Sequence, residues 1–465
     1  MRTFLLFVLL VSPLLPAGLA PGSEPIDRDK ELIIRAREVV ELNAQARPGS
    51  YGPFTLEHLL AGISRDGTAK TGLLDWMKAW VAEDETGQPV AVGERLLAQW
   101  KVRDGVAATT PDPAWTPDFS HAPFRLLAVV NRLDMLSLDV DGFPEHAGEG
   151  RFVFGLTDGS AADGATSLLA SVIFEFELPA RTPAAVLEWA KSWHALAAFN
   201  QFDAGYCTAL ADLTLRFTRR NTRPERVNGS ALHQIRTNEV ALSCADPNDR
   251  ARDDNLWLMQ EFRLDPTSGA VVAVTTKQTP PQSLARSQLL ADYVNAHEDD
   301  ILHHRNQVPA TYQQTPFLAT LLKNNSNNVE WNPRDNQNQP LIKNPQARFY
   351  FALNTCTGCH GAEASTHFVH IHAREANGMA GLSDFLSGIP PKDPLTPPDD
   401  FPTDDSLNEI PRRQRIMALI LDGLLFEQSF LAVHGQDEKL WKSEPYQGEH
   451  RELLRLLAIG AKRVH

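Results

Sequence analysis

The stretch "SVIFEFE", residues 171–177, alternates apolar and acidic side chains over its second half. Phe174 and Phe176 are the apolar residues of this alternation, and Glu175 and Glu177 are the acidic ones. A period of two residues is typical of a β-strand, because successive side chains point to opposite faces of the sheet. The pattern predicts a half-buried strand with its phenylalanines in a core.

Other stretches rich in β-branched and aromatic residues surround this strand: "FRLLAVVNRLD", "RFVFGLTDG", "HQIRTNEVAL", "LWLMQEFRL" and "AVVAVTTKQ". The turn residues "DPTSG" at 265–269 predict a hairpin between the last two. Apolar residues at three- and four-residue spacing predict helices over most of residues 23–104, including residues 27–46, and over about 283–303. Residues 23–322 are therefore predicted to form an α+β domain with a mostly antiparallel sheet and a helical N-terminal part.

The N-terminus has the features of a secretory signal peptide. Arg2 is followed by an apolar run broken by Pro13 and Pro16, and then by small residues. We predict a signal peptide over residues 1–22 and an exported protein, periplasmic or secreted. No later stretch is apolar enough to predict a transmembrane segment.

Composition restricts the partners. The 44 Lys plus Arg residues stand against 58 Asp plus Glu residues, which gives a formal net charge of −14. The negative electrostatic field of such a chain disfavours binding to nucleic acid and is compatible with a basic protein partner. The chain has no G-x-S-x-G, H-E-x-x-H or phosphate-binding glycine motif, and no small-molecule substrate is indicated.

The sequence "CTGCH" at 356–360 has the C-x-x-C-H form of a c-type haem attachment site. In that chemistry Cys356 and Cys359 add to the two vinyl groups of one porphyrin edge, and His360 presents its imidazole to the iron. Zinc binding, a redox-active dithiol and a structural disulfide are the alternatives. We predict one covalent haem c.

The segment around this motif resembles the mono-haem cytochrome c domains. "NPQARFYFALNTCTGCH" predicts a helix that begins near Asn344 and leads into the motif, and "PRRQRIMALILDGLL" predicts a later amphipathic helix. The resemblance implies an all-α haem domain over residues 341–465. The Asn-rich composition of residues 323–340 predicts a linker before this domain. The chain also resembles exported bacterial proteins of unassigned function that end in such a site, which supplies no activity.

The sixth ligand of the iron stays open between several residues. His370 lies between Val369 and Ile371, an apolar setting that suits a ligand facing a buried porphyrin, and is the first candidate. Met379, in a glycine-flanked loop, is the second candidate. Further alternatives are His367, His372, Met417 and an open site.

The other two cysteines, Cys207 and Cys244, lie on either side of a moderate stretch of chain. In an oxidising compartment such a pair most often forms a disulfide, and we predict one here.

Polar residues interrupt the predicted apolar strands. They are Asn131, Arg132, Asp134, Arg151, Arg236, Asn238, Glu239 and Glu261. One interpretation is a polar cleft that binds an anionic substrate or the haem carboxylates. The other is a set of strand-end ion pairs and solvent-facing side chains.

The sequence thus predicts an exported haem protein that transfers electrons to or from a redox partner protein. One alternative is a haem-dependent oxidoreductase, a peroxidase, oxygenase or dehydrogenase whose α+β domain binds the substrate. A further alternative is a surface binding or sensing protein with a haem domain.

Overall fold

The computed structural model describes residues 25–41, 52–83, 88–139, 143–158, 167–240, 256–325, 329–395, 407–423, 453 and 455–459. The predicted signal peptide, residues 1–22, lies outside the described residues, and so does Cys244. The export of the chain and the disulfide between Cys207 and Cys244 therefore stay predictions.

The described residues combine helices with an antiparallel sheet, which confirms the predicted α+β character. The strands are β1 (Ile33–Ile34), β2 (Ala82–Glu83), β3 (Pro89–Val90), β4 (Phe124–Arg132), β5 (Ser137–Leu138), β6 (Pro144–His146), β7 (Glu149–Thr157), β8 (Ser167–Glu177), β9 (Leu232–Val240), β10 (Leu256–Leu264), β11 (Val271–Val274), β12 (Thr311–Tyr312), β13 (Thr315–Pro316) and β14 (Leu322–Asn325). The helices are α1 (Arg37–Val40), α2 (Leu56–Ile63), α3 (Ala69–Ala79), α4 (Val92–Arg103), α5 (Pro183–His194), α6 (Ala204–Thr218), α7 (Gln288–Ala296), α8 (Glu298–Leu302), α9 (Pro345–Leu353), α10 (Cys356–Cys359), α11 (Asp384–Ser387) and α12 (Glu409–Leu421).

The main sheet has eight strands, and its order is β1–β4–β7–β8–β9–β10. Beyond β10, strand β14 pairs with its first half and β11 with its second half. All of these pairs are antiparallel. The predicted hairpin turn joins β10 to β11, where the Gly269 amide donates to the Asp265 carbonyl over 2.9 Å.

One face of the sheet is apolar and is covered by helices. Phe174 of β8 contacts Trp76 of α3, with ring centroids 5.4 Å apart. Phe217 of α6 packs against Phe176, with centroids 6.1 Å apart. A side chain at Gly150 of β7 would place its Cβ 2.3 Å from the Phe217 ring, so the close approach of α6 requires glycine there.

The opposite face is polar and is also buried. Glu175 is 0% exposed and Glu177 is 4% exposed, so the prediction of a half-buried strand is wrong. The chain that follows the C-x-x-C-H motif covers this face, where the Asn238 amide of β9 donates to the Phe368 carbonyl. Helix α12 covers it further, with Arg412 donating to Asp134 over 2.8 Å. Both faces are therefore inside the molecule.

Two helix predictions were wrong in their extent. Within residues 27–46 the chain forms a π-helical turn at Arg28–Leu32, then β1, then α1. Ile33 and Ile34 pair with Val130 and Val129 at the sheet edge, and this pairing buries both isoleucines completely. Tertiary pairing thus outweighs local helical preference. The helix predicted at about 283–303 is divided at His297 into α7 and α8.

The predicted linker at 323–340 does not separate two cores. Phe317 before it, Trp331 within it and Phe351 after it belong to one hydrophobic cluster. The division of the chain into two domains stays a prediction. In the described part of the chain, none of the helices has the length and apolar composition needed to cross a bilayer.

Candidate functional site

The two motif cysteines lie in one short helical turn, and the preceding helix fixes its position. Asn344 caps α9, with Pro345 in its first turn, as predicted. Thr355 caps α10 by accepting from the Gly358 amide over 3.2 Å, and its hydroxyl also accepts from the Trp331 indole over 2.8 Å. A Cβ at Gly358 would lie 2.2 Å from the Ala352 carbonyl oxygen. Only glycine therefore allows α10 to pack this closely on the end of α9.

The motif is docked on the edge of the sheet that β10 and β14 form. The Cys356 amide donates to the Thr279 hydroxyl over 2.9 Å. Trp257 of β10 stacks on Phe368, with ring centroids 5.1 Å apart. Cys356 is 2% exposed and Cys359 is fully buried. These contacts hold both thiols inside the protein.

His360 is oriented by a backbone carbonyl. Its Nδ1 lies 2.5 Å from the Phe368 carbonyl oxygen, so Nδ1 carries the proton and Nε2 keeps the lone pair. Burial lowers the pKa of His360 to about 4. A neutral imidazole with Nδ1 hydrogen-bonded to a carbonyl is the form in which histidine binds a metal.

His370 is the histidine that the fold brings to this place. Its ring centroid lies 4.5 Å from that of His360, and its Nε2 lies 3.6 Å from the Cys359 sulfur. The Ser383 hydroxyl lies 3.2 Å from Nδ1. Burial and the neighbouring His360 lower the pKa of His370 well below its usual value. Both histidines are therefore neutral at physiological pH.

The other candidates for the sixth ligand have different environments. Met379 is 60% exposed, in a loop that Arg35 holds through the Ala380 carbonyl. His367 is exposed and His372 is half-buried. Met417 is fully buried in α12, with its sulfur 3.8 Å from the Asn131 amide nitrogen. The structure places only His370 beside His360 among these residues.

Two cavities meet at His360. The first lies between the sheet, the two histidines and α12, and it is lined by Val130, Arg132, Arg151, Val153, Ser171, Ile173, His360, His370, Ile371, Leu386 and Arg413. The second is lined by Ile173, Arg236, Thr237, Asn238, Met259, Gln260, Thr276, Cys356 and His360. Arg132, Arg151, Arg236 and Asn238 of the predicted polar set thus line cavities around the motif.

The interpretation of that polar set as solvent-facing is wrong. Each of its members is buried: Asn131, Arg132, Asp134, Arg151, Arg236, Asn238, Glu239 and Glu261. Several do form ion pairs, as the same interpretation predicts. Arg151 lies 2.6 Å from Glu149, and Arg263 lies 2.9 Å from Glu261.

A buried charge cluster closes one end of the first cavity. Arg132 and Arg412 both donate to Asp134 over 2.8 Å, and Arg413 donates to Glu409 over 2.8 Å. Burial opposes ionisation of Asp134, but the arginines hold the pKa of this carboxyl well below its usual value. Burial lowers the pKa of Arg413 to about 10. The cluster therefore stays ionised and contains three arginines and two carboxylates.

The metal and thiol alternatives have less support at the motif. Within the described residues, one group of three or more ligand side chains has its ligand atoms within 4.8 Å of one another, and it comprises Glu149, Glu175 and His233. No motif residue belongs to it, and Arg151 already pairs with Glu149. Cys356 and Cys359 are thiols without a bond between them. Cys207 is buried in α6, where burial raises its pKa.

Comparison of the chain with protein-family models, curated proteins and solved structures finds no match. The sequence did not indicate Glu175, Thr279, Glu409, Arg412 or Arg413 as parts of this site. The sequence "PRRQR" places several charges inside an otherwise apolar helical pattern. This signal could have indicated that α12 contributes charged side chains to the site.

Proposed function

We propose that this chain is an exported protein that attaches one haem covalently and transfers electrons through it. Cys356 and Cys359 would form the thioether bonds, and His360 would bind the iron as the proximal ligand. The observation that carries the proposal is the burial of the complete C-x-x-C-H motif against two cavities, with a second neutral histidine beside it. Helices α9 to α12 would form the haem-binding part of residues 341–465.

The residues around the cavities fit a haem. Apolar walls from Val130, Val153 and Ile371 suit a porphyrin, and arginines suit its two carboxylates. Arg132 has a buried Nη1 that makes no hydrogen bond within the described part of the chain. The nearby cluster of three arginines and two carboxylates would gain a balancing negative charge from a bound carboxylate.

His370 is the sixth ligand that we propose. Its ring is neutral, buried and beside His360, and a hydrogen bond to Ser383 fixes its orientation. A bound haem supplies one-electron redox chemistry, and its bis-histidine ligation implies a lower potential than ligation by histidine and methionine. The protein's part is to hold both imidazoles neutral and to exclude water from them. The strongly negative chain would favour a basic redox partner.

The proposal predicts that covalent haem depends on the two motif cysteines. The Cys356→Ala, Cys359→Ala double variant, expressed in a host that attaches haem to exported proteins, should lose all covalent haem, measured as haem absorbance after acid–acetone extraction. Circular dichroism should show that the sheet is retained. Cys207→Ala is the matched control, because this buried cysteine lies outside the motif, and it should keep the haem. Covalent haem in the double variant would contradict the proposal.

The sixth ligand is tested with carbon monoxide. The reduced wild-type protein should have a visible spectrum that carbon monoxide does not change, because His360 and His370 would both bind the iron. His370→Ala should bind carbon monoxide at once, whereas His367→Ala, which removes an exposed histidine of the same segment, should behave as the wild type.

A haem-dependent oxidoreductase is the second candidate function. The second cavity, beside Cys356, favours it, because an electron carrier does not need such a cavity. An immediate spectral shift of the wild-type protein with carbon monoxide would indicate an open iron site. That result would favour this function over electron transfer.

A further inference from the structure

The second cavity contains an arginine whose hydrogen-bonding groups have no acceptor. Arg236 lies in β9, is 5% exposed and lines the cavity. Its Nε, Nη1 and Nη2 atoms make no hydrogen bond to any described residue. A buried donor without an acceptor costs about 1–3 kcal/mol, and the cost is higher for a charged group. Such an arginine is stable in this position only if something else in the cavity accepts its protons.

The carboxylates near Arg236 balance its charge but do not accept its protons. Glu175 and Glu261 each lie 3.5 Å away, beyond good hydrogen-bonding geometry. Glu175 accepts from Gln234 over 2.6 Å, and Glu261 accepts from Arg263 over 2.9 Å. Glu261 also accepts from the Lys277 amide over 3.3 Å, whereas Glu175 Oε1, which lies 3.5 Å from Arg236 Nη1, makes no hydrogen bond within the described residues. Arg236 therefore lines the cavity with its charge balanced and its hydrogen-bonding groups unpaired.

The same cavity also offers acceptors in fixed orientations. Asn238 donates through Nδ2 to the Phe368 carbonyl, and Gln260 donates through Nε2 to the Val81 carbonyl over 2.6 Å. These bonds determine which amide atom is the oxygen. Asn238 Oδ1 and Gln260 Oε1 are buried and accept no hydrogen bond within the described ranges, and the Thr276 hydroxyl is likewise unbonded there.

The required ligand follows from this set of groups. A guanidinium fork binds a carboxylate through two parallel hydrogen bonds. Two amide oxygens require a donor, and a hydroxyl group supplies one. We propose that the cavity around Arg236 binds a small hydroxycarboxylate, with its carboxylate on Arg236 and its hydroxyl group on Asn238 or Gln260. The site lies on the sheet and does not require the haem.

A haem carboxylate is a poor alternative occupant. Cys356 lines the same cavity as Arg236, and the vinyl groups that cysteines capture lie on the opposite edge of a porphyrin from its carboxylates. The arginines suited to those carboxylates, Arg132, Arg151 and Arg413, line the first cavity instead. The two cavities thus separate two anion sites.

The experiment is isothermal titration calorimetry of the full-length mature protein with glycolate, acetate and ethylene glycol as probes. Glycolate should bind. Acetate should bind about tenfold more weakly, because it leaves the amide oxygens without a donor. Ethylene glycol, which has no charge, should not bind measurably. Equal affinities for all three probes would overturn the proposal, and so would absence of glycolate binding up to about 10 mM, a result that leaves only water in the cavity.

Variants of residues in and near the cavity test where glycolate binds. Arg236→Gln should weaken glycolate at least about tenfold, and Arg236→Lys should weaken it less, because the charge stays but the fork is lost. Arg263→Gln is the matched control, since Arg263 pairs with the same Glu261 but is 42% exposed at its side chain and does not line the cavity. Thr276→Val, a change of equal shape, should weaken glycolate several-fold and serves if the Arg236 variants do not fold. Unchanged affinity in Arg236→Gln would overturn the proposal.

A last pair of variants tests whether glycolate binding and haem attachment are independent of each other. Cys359→Ala, which removes a motif cysteine that does not line this cavity, should bind glycolate as the wild type does, whatever the outcome for haem attachment. Arg236→Gln should keep the wild-type content of covalent haem. If Arg236→Gln loses the haem and glycolate does not bind the wild type, Arg236 is a haem contact and the proposal is wrong.

Discussion

The two faces of the main sheet are equally buried but are built from opposite kinds of residue. One face packs Phe152, Phe174 and Phe176 against helices, where burial of apolar area supplies the stability. The other face packs arginines and glutamates against the C-x-x-C-H motif, where each charge requires a partner. Burial therefore does not distinguish core from site in this protein. The two faces differ in how many buried polar atoms lack hydrogen bonds: several lie together around Arg236 on the second face, whereas Trp76 Nε1 is such an atom against the first face.

The largest expected effect is on the apolar face. Phe174→Ala should lower the free energy of unfolding by about 3–5 kcal/mol, because it removes a fully buried ring that contacts Trp76 and leaves a cavity. Urea denaturation monitored by circular dichroism measures this change. Leu169→Ala is the control, since Leu169 lies on the same strand but is 55% exposed, and its effect should stay within about 0.5 kcal/mol. A cost below about 1 kcal/mol for Phe174→Ala would show that this face is not the main core.

The next effect is on the polar face. Asp134→Asn should lower the free energy of unfolding by about 3 kcal/mol, because it leaves Arg132 and Arg412 with one buried carboxylate fewer. The same denaturation experiment applies. Asp299→Asn removes an exposed carboxylate that lies 2.6 Å from Arg305 and should cost less than about 1 kcal/mol. Similar costs for the two variants would indicate that the cluster on α12 is open to solvent.

The smallest expected effect is a change in how the free energy of unfolding depends on pH. Glu363, three residues after His360, lies 2.9 Å from Arg348, and burial raises its pKa to about 7. The folded protein binds this proton more tightly than the unfolded chain does. Protonated Glu363 therefore makes its whole contribution to the free energy of unfolding below the ordinary pKa of 4.5. That contribution is lost as the pH rises to about 7.

Glu363→Gln tests this dependence, because an amide keeps the acceptor for Arg348 but cannot ionise. Between pH 4.5 and about 7 the wild type should lose stability relative to this variant by at most about 1.4 kcal/mol per pH unit. Glu188→Gln, at an exposed position away from the motif, should leave the wild-type slope unchanged. Parallel stability curves for Glu363→Gln and the wild type would show that Glu363 ionises normally.

Much of the local structure follows from sequence patterns. The alternation at 171–177, the turn at 265–269 and the capped helix after Asn344 all occur where the patterns predict them. The predictions from sequence were wrong where contacts with distant segments outweigh the local preference for a secondary structure. Ile33 and Ile34 lie in a helical pattern but pair with β4. Glu175 lies in an alternating pattern but is fully buried beside Gln234 and Arg236 of the neighbouring strand β9.

The sequence by itself determined the motif, because the spacing of Cys356, Cys359 and His360 is local and one helical turn is enough to place them together. Tertiary structure alone decided what surrounds that motif. Asn238 and His360 meet although they are 122 residues apart, and Arg236 faces a cavity that no neighbouring residue in the sequence indicates. The physical reason is that burial and hydrogen bonding depend on contacts between segments, whereas periodicity and spacing record only the contacts that each segment makes with itself.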